Sequence, residues 1–294
     1  MLKEKVVITA AITGGAPTKE RNPNVPHTAE EYVREVKRAE EAGAAVVHIH
    51  FRNPDTGMPS NDPQIMAEVM QGVTENTNML INLSTGFMGP NTTLGERKLP
   101  ITHYTPDLAS LNPGTMNFCI VSHRDGRIAY DFTFENPFSA TIEFGTLMKE
   151  KKIKPELECF GLSHVQNVLF FDKFYDFLEH PLHFSFVFGV AGGVGFSPDI
   201  LSAFINSVPE GSTWQGIGTG PFSLPVAMAS AMFGGHIRVG LEDSLVSDYV
   251  TKTLAKSNGE LVEKAVQIAR LAGREVATPE EARKILNLPE REQS

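Results

Sequence analysis

Short apolar, β-branched runs recur along this chain, each followed by a polar loop and a longer segment of helical character. Eight such runs occupy residues 6–13, 44–51, 79–85, 108–111, 156–161, 183–190, 213–218 and 236–242. Parallel strands cannot be joined by a tight turn. Each needs a crossover that carries the chain back to the same edge of the sheet. Strands alternating with helices therefore predict a parallel sheet covered by helices. Eight units are the number that closes such a sheet on itself, so an α/β fold of the (β/α)₈ (TIM) barrel class is expected. Residues 1–294 hold no repeat of the solenoid kind, low-complexity tract or linker, and read as a single barrel domain.

The crossovers differ in clarity. A helix over residues 28–42 has Thr28 as its cap, Glu30 and Glu31 in its first turn and Gly43 at its end. Asp62 followed by Pro63 starts another over 63–75. Helices are also expected over 139–152, 163–178, 198–206, 223–232 and 259–272, with a short C-terminal extension over 279–286. Residues 86–107, with Pro90, Pro100 and Pro106, read as loop, which makes the helix after the third strand the least supported.

The formal net charge of −9 argues against nucleic acid as the partner, because phosphate binding wants a basic face. Cys119 and Cys159 are far apart and form no C-x-x-C, so a reducing cytoplasm is the expected compartment. No stretch reaches the roughly 18 apolar residues of a membrane span, and the first fifteen residues lack the apolar run of a secretory signal. The glycines of GVAGGVGFSPD could cradle an anion, but no Walker lysine or G-x-G-x-x-G accompanies them. They read as a loop at the barrel mouth.

The chemistry gathers at strand ends. His48 and His50 lie in VVHIHFR, two apart, and so point to the same face of a strand. Val47, Ile49 and Phe51 take the other parity and suit the helix layer, which turns both histidines inward. They stand at the C-terminal end of the run, where barrel active sites lie. Two such imidazoles can share one metal. In HIRVGLEDS, Arg238 and Glu242 share a parity, and Glu242 and Asp243 fall at the end of the last strand. That strand closes beside the first, so Glu242 can reach the same centre. Two histidines and a carboxylate leave a position open, the catalytic arrangement. An inward arginine needs a buried partner, and Asp243 or Glu158 can supply it. Asn82, Ser84, Thr85, Ser110, Asn112 and Glu158 would place further polar groups near the mouth, as in a small-molecule site.

The stretches AGAAVVHIHFRNPDTGMPSND, NLSTG, ASLNPGTMNF, KPELECFG, GGHIRVGLEDS and SNGELVEKAVQIARLAGREVATPEEAR follow one another in the order and spacing of a known family. The chain resembles the β-keto acid cleavage enzymes. The resemblance implies a zinc-dependent (β/α)₈ barrel, usually a homotetramer, that converts a β-keto acid and acetyl-CoA into acetoacetate and a new acyl-CoA. Carried over by position, the zinc ligands are His48, His50 and Glu242. The base system is Arg238 with Asp243, helped by Glu158, and the substrate contacts are Ser84, Thr85, Gly86 and Ser110.

One position departs from the pattern. Members acting on an amino-substituted substrate carry an acidic residue after the first strand, where this chain has Ala16 in TGGAPTKE. A neutral or apolar β-keto acid is therefore expected. The segment SLVSDYVTKTLAK also looks atypical and could reshape the CoA entrance. Two other classes share part of this pattern. A hydrolase of the amidohydrolase type needs further histidines at later strand ends, for which His164 is the one candidate and His183 falls at the wrong end. A non-catalytic barrel binding acyl-CoA needs a closing fourth ligand, for which His123 is the candidate.

Overall fold

The computed structural model describes residues 4–86, 89, 92–121 and 126–289. Strand β1 (Ile8–Ala11) leads to α1 (Ala29–Ala42), β2 (Val46–Ile49), α2 (Pro63–Thr74), β3 (Leu80–Leu83), α3 (Leu94–His103) and β4 (Leu108–Leu111). A hairpin of β5 (Met116–Val121) and β6 (Ile128–Phe134) then interrupts the alternation. The chain resumes with α4 (Phe138–Glu150), β7 (Lys154–Cys159), α5 (Leu162–Phe174), β8 (His183–Phe188), α6 (Pro198–Ile205), β9 (Thr213–Gly218), α7 (Ser223–Phe233) and β10 (His236–Val239). A small hairpin of β11 (Val246–Asp248) and β12 (Thr253–Leu254) precedes α8 (Asn258–Leu271) and α9 (Pro279–Ile285).

Eight strands close into a parallel barrel in the order β1-β10-β9-β8-β7-β4-β3-β2. The expected barrel class is the observed one. Closure runs through β1, which pairs with β10 on one side and β2 on the other, Thr9 facing Arg238 and Val46. Outward residues of β2 and its neighbours, Val47, Ile49 and Ile81, pack with Tyr32, Val36, Met66 and Val69 of α1 and α2. Burying each such side chain contributes about 1.5–3 kcal/mol, which offsets the entropy of ordering the chain. At the N-terminal end of the barrel, Val7, Val46, Leu80 and Leu108 meet Ala282 of α9 and Leu286 and Leu288 beyond it.

The helix starts follow their caps. Thr28 and Glu31 form a capping box on α1, and the Asp62 side chain accepts from the Gln64 and Ile65 amides at the start of α2. The stretch expected as loop after β3 contains α3. Thr93 and Glu96 form its capping box. Pro100 leaves the Glu96 carbonyl without its helical donor, and the Asn61 side chain donates to that carbonyl instead at 2.9 Å. A proline count therefore misled where local capping and one tertiary hydrogen bond decide. Among the described residues, no helix is long and apolar enough to cross a membrane.

Candidate active site

Inward side chains stack in layers up the barrel. Above the apolar base lies a polar layer centred on Glu156. Gln215, at 2.5 Å, and Asn82 donate amide hydrogens to it, the Ser185 hydroxyl donates at 2.5 Å, and Thr9 donates to Gln215 at 3.0 Å. Every one of these groups is buried. Asn82, expected at the mouth, is committed to this lower layer, since its place on β3 sets it two residues below Ser84.

The next layer holds the candidate residues. His48 lies within β2, and His50 follows its last residue. The two rings lie 5.1 Å apart, inclined at 69°. Glu242 reaches across from the far side of β1, with Oε2 at 3.7 Å from His48 Nε2 and Oε1 at 3.5 Å from His50 Nε2. Strand β10 ends at Val239, and the chain then turns, the amides of Asp243 and Ser244 donating to the Gly240 carbonyl at 3.1 and 2.9 Å. The turn lets consecutive residues Glu242 and Asp243 face the same cavity, which a continued strand would forbid.

Arg238 organises the acids. Its Nε and Nη2 donate to the two oxygens of Asp243 at 3.0 and 3.1 Å, its Nη1 donates to Glu158 at 3.4 Å, and Nη2 also donates to Glu242. Both partners proposed for it from sequence are thus engaged. Burial works against the Arg238 charge, but Asp243, Glu242 and Glu158 outweigh it and hold the guanidinium well above its usual range. Burial, then repulsion from Glu156, raises Glu158 to about 8, against the pull of Arg238. Burial and repulsion from Glu242 raise Asp243 to about 6, again opposed by Arg238. Glu242 goes the other way: burial would raise it, but Arg238, His50 and His48 hold it well below the ordinary carboxylate range. Burial lowers His48 to about 4, so its imidazole is neutral and able to bind a metal.

These residues fit a divalent cation. Among the described residues, one group of three possible ligands brings its donor atoms within 4.8 Å of one another, and it is His48, His50 and Glu242. Glu242 Oε2 is buried and has no hydrogen-bond partner. Arg238 is a single positive charge facing the carboxylates of Glu158, Glu242 and Asp243. A divalent cation would offset the excess. Imidazole nitrogen with carboxylate oxygen suits zinc, with positions left for a substrate.

A cavity of about 190 Å³, open to solvent, adjoins this cluster. Its polar lining includes His50, Ser84, Glu158, Arg238, Glu242 and Asp243. Ala16 lines it too, in the Gly15–Ala16–Pro17 segment after β1. Gly86 lies on the wall, its amide donating to the Ser84 hydroxyl at 3.0 Å. Thr85 and Ser110 are not among the lining residues. The Thr85 amide donates to Ser110 Oγ at 2.9 Å, and the Thr85 hydroxyl donates to the Ser110 carbonyl at 2.5 Å, so the pair braces the backbone that leads to Gly86. His164 sits in α5, away from the three ligands, where its Nδ1 accepts from the Phe160 amide. His183 starts β8 at the opposite end of the barrel. His123 lies outside the described residues, as does Pro90.

Three contributors escaped the sequence reading. Arg52 is fully buried and donates to the carbonyls of Gly14 at 2.9 Å and Gly57 at 2.6 Å, fixing the loop that carries Ala16. Arg97 donates to the Thr85 carbonyl at 2.8 Å. The β5–β6 hairpin supplies Phe118, Ile120 and Phe134 to the cavity. Alternation in MNFCIV and IAYDFTF, with Asp125–Gly126 between them, is the signal that marks a hairpin. The glycine loop before α6 closes on itself, the amides of Gly189 and Gly193 donating to the carbonyls of Val194 and Val190.

Residues 5–288 match the beta-keto acid cleavage enzyme family. The chain is 40% identical over 289 residues to a 3-keto-5-aminohexanoate cleavage enzyme of Fusobacterium nucleatum, covering 98% of this chain and 99% of the relative. It is 33% identical over 296 residues to a 3-oxoadipate:acetyl-CoA acetyltransferase of Cupriavidus necator, covering 99% and 98%. The fold is also that of ObcA, solved as a ternary complex with a C4-CoA adduct and oxalate, with a TM-score of 0.72 and 21% identity over 90% of this chain and 68% of that one. The match along nearly the whole length shows that the chain belongs to the beta-keto acid cleavage enzyme family.

Proposed function

We propose that the protein is a zinc-dependent acyltransferase that takes a β-keto acid and acetyl-CoA to acetoacetate and a new acyl-CoA. The observation that carries this reading is the convergence of His48, His50 and Glu242 beside the Arg238–Asp243 pair at one cavity. Relatives named for acetyl-CoA-dependent transfer support the co-substrate. Zinc held by His48, His50 and Glu242 would supply Lewis acidity toward the oxygens of a β-keto acid.

Asp243 is the proton acceptor. It lines the cavity, and the two-point grip of Arg238 fixes the direction of its carboxylate. It takes a proton from the carbon between the keto and carboxylate groups. That carbon forms a bond to the acetyl carbonyl, and coenzyme A leaves as its thiolate. The thiolate then attacks the original keto carbon. The bond to the carboxylate-bearing carbon breaks, the acyl group leaves on coenzyme A, and Asp243 returns its proton to the acetoacetate carbon. Glu158 helps through its contact with Arg238 and its place on the cavity wall. Ser84 and Gly86 contact the substrate, and Thr85 with Ser110 holds that wall in position.

Ala16 on the cavity wall supports a substrate without an ammonium group. A cytoplasmic homotetramer is the expected assembly. Met228, Met232 and Phe233 are at least half exposed on α7, which supports burial against further copies. A metal assay combined with a screen of β-keto acids against acetyl-CoA tests the reading, with acyl-CoA products detected by mass. We expect zinc and at least one acyl-CoA product. A zinc-loaded protein that forms acetoacetate from none of them would overturn it.

A further inference from the structure

One end of the cavity is ionic, and the other is apolar. Phe118, Ile120, Phe134, Phe160, Val187 and Ile217 line the apolar end. Phe118 and Ile120 are two apart on β5 and so share a face of the hairpin. Phe118 packs against Phe132 at 5.1 Å with the rings tilted by 30°, and Phe134 meets Phe160 edge-on at 6.3 Å, so the wall is a packed aromatic surface. The charged side chains among the described lining residues are Glu158, Arg238, Glu242 and Asp243, and Arg238 already binds the other three.

The wall is pinned. Cys119 of β5 bridges to Ala191 in the loop after β8. Next to it, Gly192 has φ +98, and a Cβ there would lie 1.8 Å from the Asn117 carbonyl oxygen. Only a residue without a side chain lets the loop come this close to the hairpin.

We propose that this wall selects β-keto acids whose acyl chain is uncharged and aliphatic, with Phe118 and Ile120 as specificity-determining residues and Gly192 as the residue that positions them. The inference rests on the reaction proposed above and names its substrate class. Each methylene placed against the wall is worth about a fourfold gain. A chain ending in an ammonium or a second carboxylate buries a charge with no described partner.

The zinc-loaded protein would be assayed with acetyl-CoA and 3-oxopentanoate, 3-oxohexanoate, 3-oxooctanoate, 5-amino-3-oxohexanoate or 3-oxoadipate. We expect kcat/KM to rise about fourfold per methylene from the five-carbon to the six-carbon acid. The two charged six-carbon acids should fall at least about tenfold below 3-oxohexanoate. Phe118→Ala should shift the optimum toward longer chains, and Ile120→Glu should favour the amino acid over 3-oxohexanoate. Gly192→Ala should erode the aliphatic preference through KM, with zinc content and kcat retained. Calorimetric binding of the same acids without acetyl-CoA reads the wall independently of turnover. The aliphatic ranking in binding, with no acyl-CoA from any acid, would overturn the reaction but keep the wall. Preferred turnover of a charged acid, or a ranking unmoved by Phe118→Ala and Ile120→Glu, would overturn the wall but keep the reaction.

Discussion

His48 and Asp243 stand in one layer of the barrel with different work. His48 is buried, neutral and aimed at Glu242, as a ligand must be, while Asp243 is held by Arg238 and not by the histidines. We expect His48→Ala to lose both bound zinc and turnover. Asp243→Asn should keep zinc and lose about 10²–10⁴-fold in turnover. Metal analysis of the two purified variants checks this, and equal zinc loss in both would make Asp243 a ligand. Strand parity made His48 and His50 legible, because a period of two leaves no freedom about which residues share a face. The same rule could not show that Glu242 and Asp243 both face the cavity, since that depends on the turn at Gly240. Nor could it separate Ser84, on the wall, from Thr85 and Ser110, whose hydrogen bonds are spent on each other.

Loops and strand ends decide how closely the proposed ligands meet. Gly14, just past β1, has φ +63, and a Cβ there would lie 2.4 Å from Glu242 Cγ. Gly14→Ala should therefore displace Glu242 and weaken zinc binding about 10–100-fold without removing any ligand, as changes around a metal's ligands do. Competition with a chelating dye measures it, and an unchanged affinity would show that Glu242 does not need that space. At this scale the sequence was partly legible. All eight barrel strands were placed because each sets apolar residues against the helix layer, down to Leu157 and Cys159 in the otherwise polar β7. Helix α3 was obscured by Pro100, whose cost is met at the Glu96 carbonyl by the side chain of Asn61, which lies outside the helix. The β5–β6 hairpin was overlooked because an antiparallel insertion breaks the alternation that organised the rest.

The whole molecule is a barrel with a charged layer at one end and an apolar plug at the other. His183 and His236 lie near the plug, their rings 6.4 Å apart. Burial pushes both down to about 3, and His236 Nδ1 accepts from the Val7 amide at 3.1 Å. In the unfolded chain each titrates near 6.5, so between about 6.5 and 3 the unfolded state binds more protons, and their contribution to stability fades as pH falls. The stability advantage of the wild type over His236→Gln should therefore shrink by roughly 1.4 kcal/mol per pH unit below 6. Denaturant titrations of both proteins between pH 7 and pH 4.5 measure this, and a gap that stays constant or widens would count against a buried neutral ring.

The proposed reaction makes one central claim: the acetyl group of acetyl-CoA ends in acetoacetate, and the substrate's acyl group ends on coenzyme A. Zinc-loaded protein given acetyl-CoA labelled with ¹³C in its acetyl group and unlabelled 3-oxohexanoate tests it most directly. The expected result is labelled acetoacetate with unlabelled four-carbon acyl-CoA. Labelled acetate with free coenzyme A and no new acyl-CoA would mean hydrolysis, and would contradict the account.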